Sequence, residues 1–285
     1  MAFLPKTWYF GWLGEMRSLL TPNVNLTNVE ERYGGVHQSL NGARTVDVTG
    51  LRRTYEMDWD YLTDDEVAWL YAFYRRMITQ PSYLIDPTKK NLISEQASVA
   101  NTHGMNDLGV SYNSTVVREF RNDYPTGLSI IGDRVPLIVS TGVTGGWVRL
   151  DGDDNWIPVT VGEPITFSIY MRCDSGTVNL SMVADWADKY GVELPGTFIA
   201  KTVTTSWQRF SITVTPTGSQ AGLRPAIVFP TGTINLRLAA PQVEYGSVAT
   251  TWEMGGGRAK VMIDQIDSES PRFPLNNISA TFLEA

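Results

Sequence analysis

The chain has 285 residues, 42% of them apolar and 11% aromatic, and a formal net charge of −7. That length favours two domains over one, and the composition is that of a packed globular protein rather than a disordered one. Lysine and arginine are scattered without a basic stripe, so specific nucleic-acid binding has no electrostatic footprint. No run approaches the roughly 18 apolar residues a membrane helix needs, which excludes stable membrane insertion by a helix.

The first residues carry no basic segment followed by a long apolar one, so no secretory signal is read there and assembly in a cytoplasm is expected. Residues 1–90 then read as a strand-rich section with one helix. Asn41-Gly42 predicts a two-residue type I′ hairpin turn, because both positions tolerate positive φ. Tyr55, Met57 and Trp59 alternate with Thr54, Glu56 and Asp58, which places the aromatics on one buried face of a strand. Thr63 followed by Asp64, Asp65 and Glu66 is a capping box. Val67, Leu70, Tyr74 and Met77 follow at helical spacing, with Arg75 and Arg76 near the helix C-terminus to complement its dipole. Pro81 stops the helix, and Asp86-Pro87 turns the chain out of the section.

From Asn91 to Gly257 the pattern changes to short strands between turn residues. Phe167, Ile169 and Met171 alternate with polar neighbours, as do Phe210, Ile212 and Val214, and Ile234, Leu236 and Leu238. This spacing predicts an antiparallel sandwich. Cys173, the only cysteine, ends one such run and is expected to be a buried thiol; alone it offers neither an intrachain disulfide nor a cysteine-based zinc site. Gly255-Gly256-Gly257 reads as a flexible joint. Strands resume at Val261 and Ile263, and Ile278, Ala280 and Phe282 alternate near residue 285. These are too few for a domain, so they are expected to return to the first section's sheet. The predicted architecture is therefore mainly β, with residues 1–90 plus 258–285 as one unit and 91–257 as an inserted sandwich.

Arg52-Arg53-Thr54-Tyr55 through Trp59, the helix from Asp64 to Arg76, Tyr83-Leu84-Ile85-Asp86-Pro87 and Asn91-Leu92 together resemble the N-terminal part of distal or minor tail proteins of long-tailed bacteriophages. The resemblance implies a tail-type β-sandwich with a flanking helix that forms a ring in the virion tail. The ring is expected as a hexamer, with a trimer as the alternative, lying between the tail tube and the other tail-tip proteins. A second set of segments is similar to carbohydrate-binding-module jelly rolls. It runs Gly162-Glu163-Pro164-Ile165-Thr166-Phe167-Ser168, Trp207-Gln208-Arg209-Phe210, Pro241-Gln242-Val243-Glu244-Tyr245-Gly246 and Ala249-Thr250-Thr251-Trp252. It implies a host-surface glycan as a further partner, with a free glycan-binding module and a glycan-degrading tail enzyme as competing readings.

Catalytic chemistry is not legible. His37 and His103 are the only histidines and neither lies in a nucleophile motif, so no catalytic residue, cofactor or metal ligand is assigned. Asp151-Gly152-Asp153-Asp154-Asn155 resembles the start of a calcium loop but lacks the later glutamate, and its Asp, Gly and Asn also make an ordinary hairpin turn, which is the preferred reading. Sugar binding calls for an exposed aromatic face beside groups that take hydroxyl hydrogen bonds. Trp186 and Tyr190, with Asp185 and Asp188, fall in an irregular segment from Ala184 to Gly196 and are the carbohydrate-binding candidates. The competing reading has Trp186 pinning a loop to the sandwich and the two aspartates as surface carboxylates. Trp207 and Trp252 are expected in the core or at its ends, and Trp147 and Trp156 as a pair across a hairpin.

Overall fold

The computed structural model describes residues 8–23, 27–39, 41–46, 50–99, 109–110, 114–120, 124–125, 127–128, 134–141 and 146–285. His103 lies outside them. Two compact units divide the chain. One consists of residues 8–10 with Arg17–Leu84 and Ala259–Ala285, the other of Gly11–Met16 with Ile85–Arg258.

The first unit is built on a seven-stranded sheet. Its strands are β1 (Tyr9–Trp12), β2 (Glu15–Ser18), β3 (Thr27–Tyr33), β6 (Gly50–Leu62), β7 (Ser82–Ile85), β19 (Arg258–Arg272) and β20 (Leu275–Glu284), in the order β2-β1-β7-β19-β20-β6-β3. β19 and β20 thus lie between β7 and β6. Ile278, Ala280 and Phe282 pair with Trp59, Met57 and Tyr55, and all six are buried. Alternation puts them on one face, and helix α1 (Asp64–Tyr74) supplies the opposing layer. Phe10 sits 4.5 Å from Phe73 and 5.2 Å from Phe282, ring centre to ring centre.

α1 starts as the capping box requires: Thr63 Oγ1 accepts from Glu66 N, and Thr63 N donates to Glu66 Oε2 at 2.8 Å. It ends in a Schellman closure, with Met77 N donating to Ala72 O and Arg76 N to Phe73 O, both at 2.9 Å. Arg76 occupies the left-handed position at φ 53°. The buried stripe differs from the expected one. Trp69, Leu70 and Phe73 face the sheet, while Tyr74 and Met77 are exposed; the helix stops at Tyr74, so Met77 leaves the helical face altogether.

The hairpin of β4 (Val36–Gln38) and β5 (Arg44–Val46) also departs from expectation. Its loop runs from Ser39 to Ala43, closed by Ser39 N to Ala43 O at 2.8 Å, with Gly42 at φ +85°. Asn41 instead turns its side-chain oxygen onto Ala43 N, a side-chain mimic of a turn rather than a second left-handed residue.

The second unit contains two antiparallel sheets. One has the order β16 (Gln208–Val214), β13 (Ile165–Cys173), β18 (Thr233–Tyr245), β10 (Arg134–Thr141), β9 (Ser114–Phe120). The other runs β15 (Glu193–Val203), β14 (Val178–Ala187), β17 (Gly222–Val228), β11 (Trp147–Arg149), β8 (Gly109–Val110), with β12 (Ile157–Pro158) also on β17. This is a jelly-roll-type sandwich. Phe167, Ile169, Met171, Leu236 and Leu238 are buried from the first sheet, and Met182, Trp186, Leu223 and Ile227 from the second. Cys173 is buried, its thiol directed at Gly176 O and Val203 O, and burial pushes its pKa up. Trp147 and Trp156 do not pair with each other; β11 and β12 each pair with β17.

Gly255, Gly256 and Gly257 are not a flexible joint. Gly255 N donates to Ser98 Oγ, Gly256 N to Ile93 O and Gly257 N to Asn91 O, and Asp86 N donates to Gly257 O at 2.9 Å. A Cβ on Gly255 would stand 2.2 Å from Ile93 O, and one on Gly257 2.5 Å from Lys89 O. Glycine is there because two backbones pass too close for a side chain. The fully buried Asn91 completes the clasp: its Nδ2 donates to Pro241 O and Glu253 O, and its Oδ1 accepts from Ile93 N and Val243 N.

Candidate functional site

The segment from Ala184 to Gly196 comprises the end of β14, a turn and the start of β15, and the expected lapse of alternation coincides with a bulge in their pairing between Ala184 and Trp186. β14 and β15 form a hairpin around residues 188–192, in which Asp188 Oδ1 accepts from Tyr190 N and Val192 N at 2.8 and 3.0 Å. Gly191 takes φ +80°. The four carbohydrate candidates are therefore dispersed. Asp188 holds the turn, and Tyr190 is 67% exposed at its tip with Lys189 Nζ 5.1 Å from its ring centre. Trp186 and Asp185, adjacent in β14, point to opposite sides of the sheet. Trp186 is 1% exposed and donates from Nε1 to Thr197 Oγ1 at 3.0 Å. It is a core side chain, which corrects its expected place on a ligand face.

Asp185 belongs to the other side of that sheet, and the register spells out what stands beside it. Phe198, Val183, Ala226 and Arg149 lie in one row across β15, β14, β17 and β11. Ala200, Ser181, Val228 and Trp147 form the next row. On the far side of the first row, Asp185 is opposite Arg224. Phe198 is 60% exposed whereas Val183 and Ala226 are buried, so this face opens to solvent at its β15 edge and is covered over the middle of the sheet. Phe198 and Trp147 thus stand at its two sides, three strand spacings and one two-residue step apart, roughly 16 Å between backbones, with small aliphatic side chains and Ser181 between them. Gly196 keeps the floor low: a Cβ there would meet Val183 and Asp185 at 3.2 and 3.3 Å.

One end of the trough is polar. Arg149 reaches Asp185 at 3.3 Å, Asp153 at 2.8 Å and Glu193 at 3.0 Å, and its guanidinium lies 4.3 Å over the Trp147 ring. Arg224, 1% exposed, reaches Asp185 at 3.3 Å and Glu193 at 2.6 Å, and stacks 4.2 Å over Trp156. Two cations and three carboxylates hold one another in place. The hydrogen bond from Arg224 leads the effects on Glu193 and, with the charges of Arg224 and Arg149, holds its carboxyl below 4.5 against the opposing cost of burial. Such a carboxylate accepts hydrogen bonds and does not donate a proton near neutrality. Asp153 and Asp185 are held by arginines, and Asp151 is buried against Arg258 at 2.7 Å. Among the described residues no group of three or more potential metal ligands occurs.

The segments that suggested a carbohydrate-binding sandwich are scaffold rather than site. Gln242 Nε2 donates to Glu244 Oε1, Thr250 donates through N and Oγ1 to the two Glu244 oxygens, and Glu253 N donates to Gln242 Oε1. This ties the 249–253 segment to β18. Trp252 is partly buried against Leu128 and Ala240, and Trp207 is half-buried with Arg172 5.6 Å from its ring centre.

The class defined by this geometry is a jelly-roll-type β-sandwich with an aromatic-edged trough on one sheet. No family model matches the sequence, and no curated protein matches it. Among solved structures, the chain is similar to the CBM22-1 xylan-binding domain of Paenibacillus barcinonensis Xyn10C, with 16% identity and TM-score 0.39, covering 53% of this chain and 93% of that one. It is similar to the C-terminal family 22 carbohydrate-binding module of Clostridium thermocellum Xyn10B, with 12% identity and TM-score 0.39, covering 54% and 98%. A third likeness is to the enzymatically active domain of tailspike protein 4 of bacteriophage CBA120, with 11% identity and TM-score 0.42, covering 54% of this chain and 21% of that one.

Proposed function

We propose that the sandwich unit is a non-catalytic glycan-binding module. The observation that carries this reading is the trough between Phe198 and Trp147. An exposed ring stacks on the apolar face of a pyranose, while Ser181 and the arginine-held carboxylates at one end take hydroxyl hydrogen bonds. Paired arginines keep Glu193 ionised, which argues against its use as the proton donor that glycoside cleavage needs. Phe198→Ala and Trp147→Ala, tested on a panel of immobilised host-surface polysaccharides, should each lose retention while the melting temperature of the Phe198 variant stays unchanged. Retention equal to that of the parent in both variants would sink the trough as the site.

A second reading concerns the other unit, which we propose to serve self-assembly in a phage tail. It is motivated by the exposed apolar side chains Val29, Tyr33 and Val36 on the consecutive strands β3 and β4. Copies arranged around a tail would multiply weak single-site glycan binding through effective concentration. Locating the chain in purified tails by electron microscopy tests this: several copies around the axis are expected, and a single copy off the axis would exclude a ring.

A further inference from the structure

β3, β4, β5 and the first residues of β6 form a two-stranded extension whose side chains, where described, are almost all exposed from Glu30 to Arg52. Beyond the seven-stranded sheet the extension is only two strands wide, an arrangement that is marginally stable alone, and it carries Tyr33 and Val36 at 48% and 59% exposure, with Val29 at 43% where β3 joins the sheet. Its exposed charged side chains are Arg32, Arg44 and Arg52 with Glu30 and Glu31, cations in slight excess, and Glu31 lies opposite Arg52.

The solvent face of the same unit's sheet has the opposite character. Asp267, Ser279 and Asp58 align across β19, β20 and β6, and the neighbouring row is Gln265, Thr281 and Glu56. Asp58, Asp60, Asp267 and Glu269 line a groove of ≈ 340 Å³ with Asn277 and Ser279. Among the described residues no lysine or arginine forms an ion pair with these four carboxylates. The acidic strands β6 and β19 flank the uncharged β20 on this face, and among the described residues their carboxylates meet amides rather than cations: Asn23 Nδ2 donates to Asp60 Oδ2 and Gln265 Nε2 to Asp267 Oδ2.

We infer that the β-ribbon of one copy docks on the acidic sheet face of a second copy, with Arg32 and Arg44 entering the groove between Asp58 and Glu269. The ribbon supplies the cations and apolar side chains that the face lacks, and complementary charge selects the register. Because the two surfaces differ, the contact is heterologous and propagates from copy to copy, giving a ring where the rotation closes. This deepens the self-assembly reading and rests on it.

The test is the mass of the full-length chain by sedimentation over a micromolar to submillimolar range, for the parent and for Arg44→Glu, Glu269→Arg and the double reversal. The parent should self-associate, more weakly as salt rises. Each single reversal should weaken association by roughly tenfold or more, and the double reversal should recover most of the loss; circular dichroism melts check that each variant is folded. A parent that stays monomeric throughout overturns the inference together with the self-assembly reading. Association unchanged by the single reversals, or unrestored by the double, overturns the docking surface and leaves self-assembly standing by another face.

Discussion

Arg258 Nη2 lies 2.7 Å from Asp151 Oδ2, and the two side chains are only 6% and 0% exposed. Arg258 Nη1 also donates to Trp156 O at 2.7 Å, and Ser94 N donates to Asp151 Oδ1 at 3.3 Å. Removing one member strands a buried charge, which costs about 3–5 kcal/mol, whereas replacing both with apolar groups of similar volume is far milder. Asp151→Ala and Arg258→Met should each lower the denaturation midpoint strongly. Asp151→Leu combined with Arg258→Met should recover part of the loss. Equal midpoints for parent and single variants would contradict the burial of the pair.

Trp186→Ala is expected to cost about 3–5 kcal/mol, because it leaves a cavity on the inner face of β14 and removes the partner of Thr197. Trp186→Phe keeps most of the packing and should cost less. A melt of Trp186→Ala that coincides with the parent's would mean that the indole is not in the core.

The clasp predicts a sharp intolerance at two glycines. Gly255→Ala and Gly257→Ala push a methyl group into carbonyl oxygens of the 89–94 segment, and backbone has little room to give. Each should destabilise the sandwich by at least the roughly 1–3 kcal/mol typical of overpacking. Urea titration of the two variants measures it, and unchanged midpoints would restore the flexible-joint reading.

Glu193 gives a pH signature. Its folded pKa lies below 4.5, so its contribution to stability is present above the unfolded value and lost as pH falls through the folded one. Glu193→Gln should therefore flatten the acid limb of the melting profile below about pH 4.5, with no new pH dependence near neutrality. The side chain is 59% exposed, so solvent screening keeps the effect small. An acid limb identical to the parent's would show that the arginine contacts do not persist in solution.

Alternation made most strands legible. Phe167, Ile169 and Met171, and Ile278, Ala280 and Phe282, announce a buried face with every second residue, and the capping box at Thr63 fixes the start of α1. The candidate site was legible only in Asp185. β14 is covered on both faces, with Val183 and Trp186 alike buried, so alternation vanishes there and the run reads as irregular. The usable signal was Asp188 to Gly191, a turn flanked by two strands, which would have set Trp186 and Asp185 on opposite sides. Phe198 and Trp147 are some fifty positions apart in sequence, and only the register of β15, β14, β17 and β11 brings them to one face. The helix stripe misled for another reason: spacing alone admits several faces, and packing against Phe10 and Phe282 selects Trp69, Leu70 and Phe73.

The clasp around Asn91 and Gly257 also bears on mechanics. A domain strung between two linkers lies in line with any pull on the chain and is stretched from end to end. Here the chain enters near Ile85 and leaves near Arg258 with the two crossings hydrogen-bonded side by side, Asp86 to Gly257. A pull applied through these two crossings is taken up where they leave side by side, and the chain between them is spared from being drawn out lengthwise.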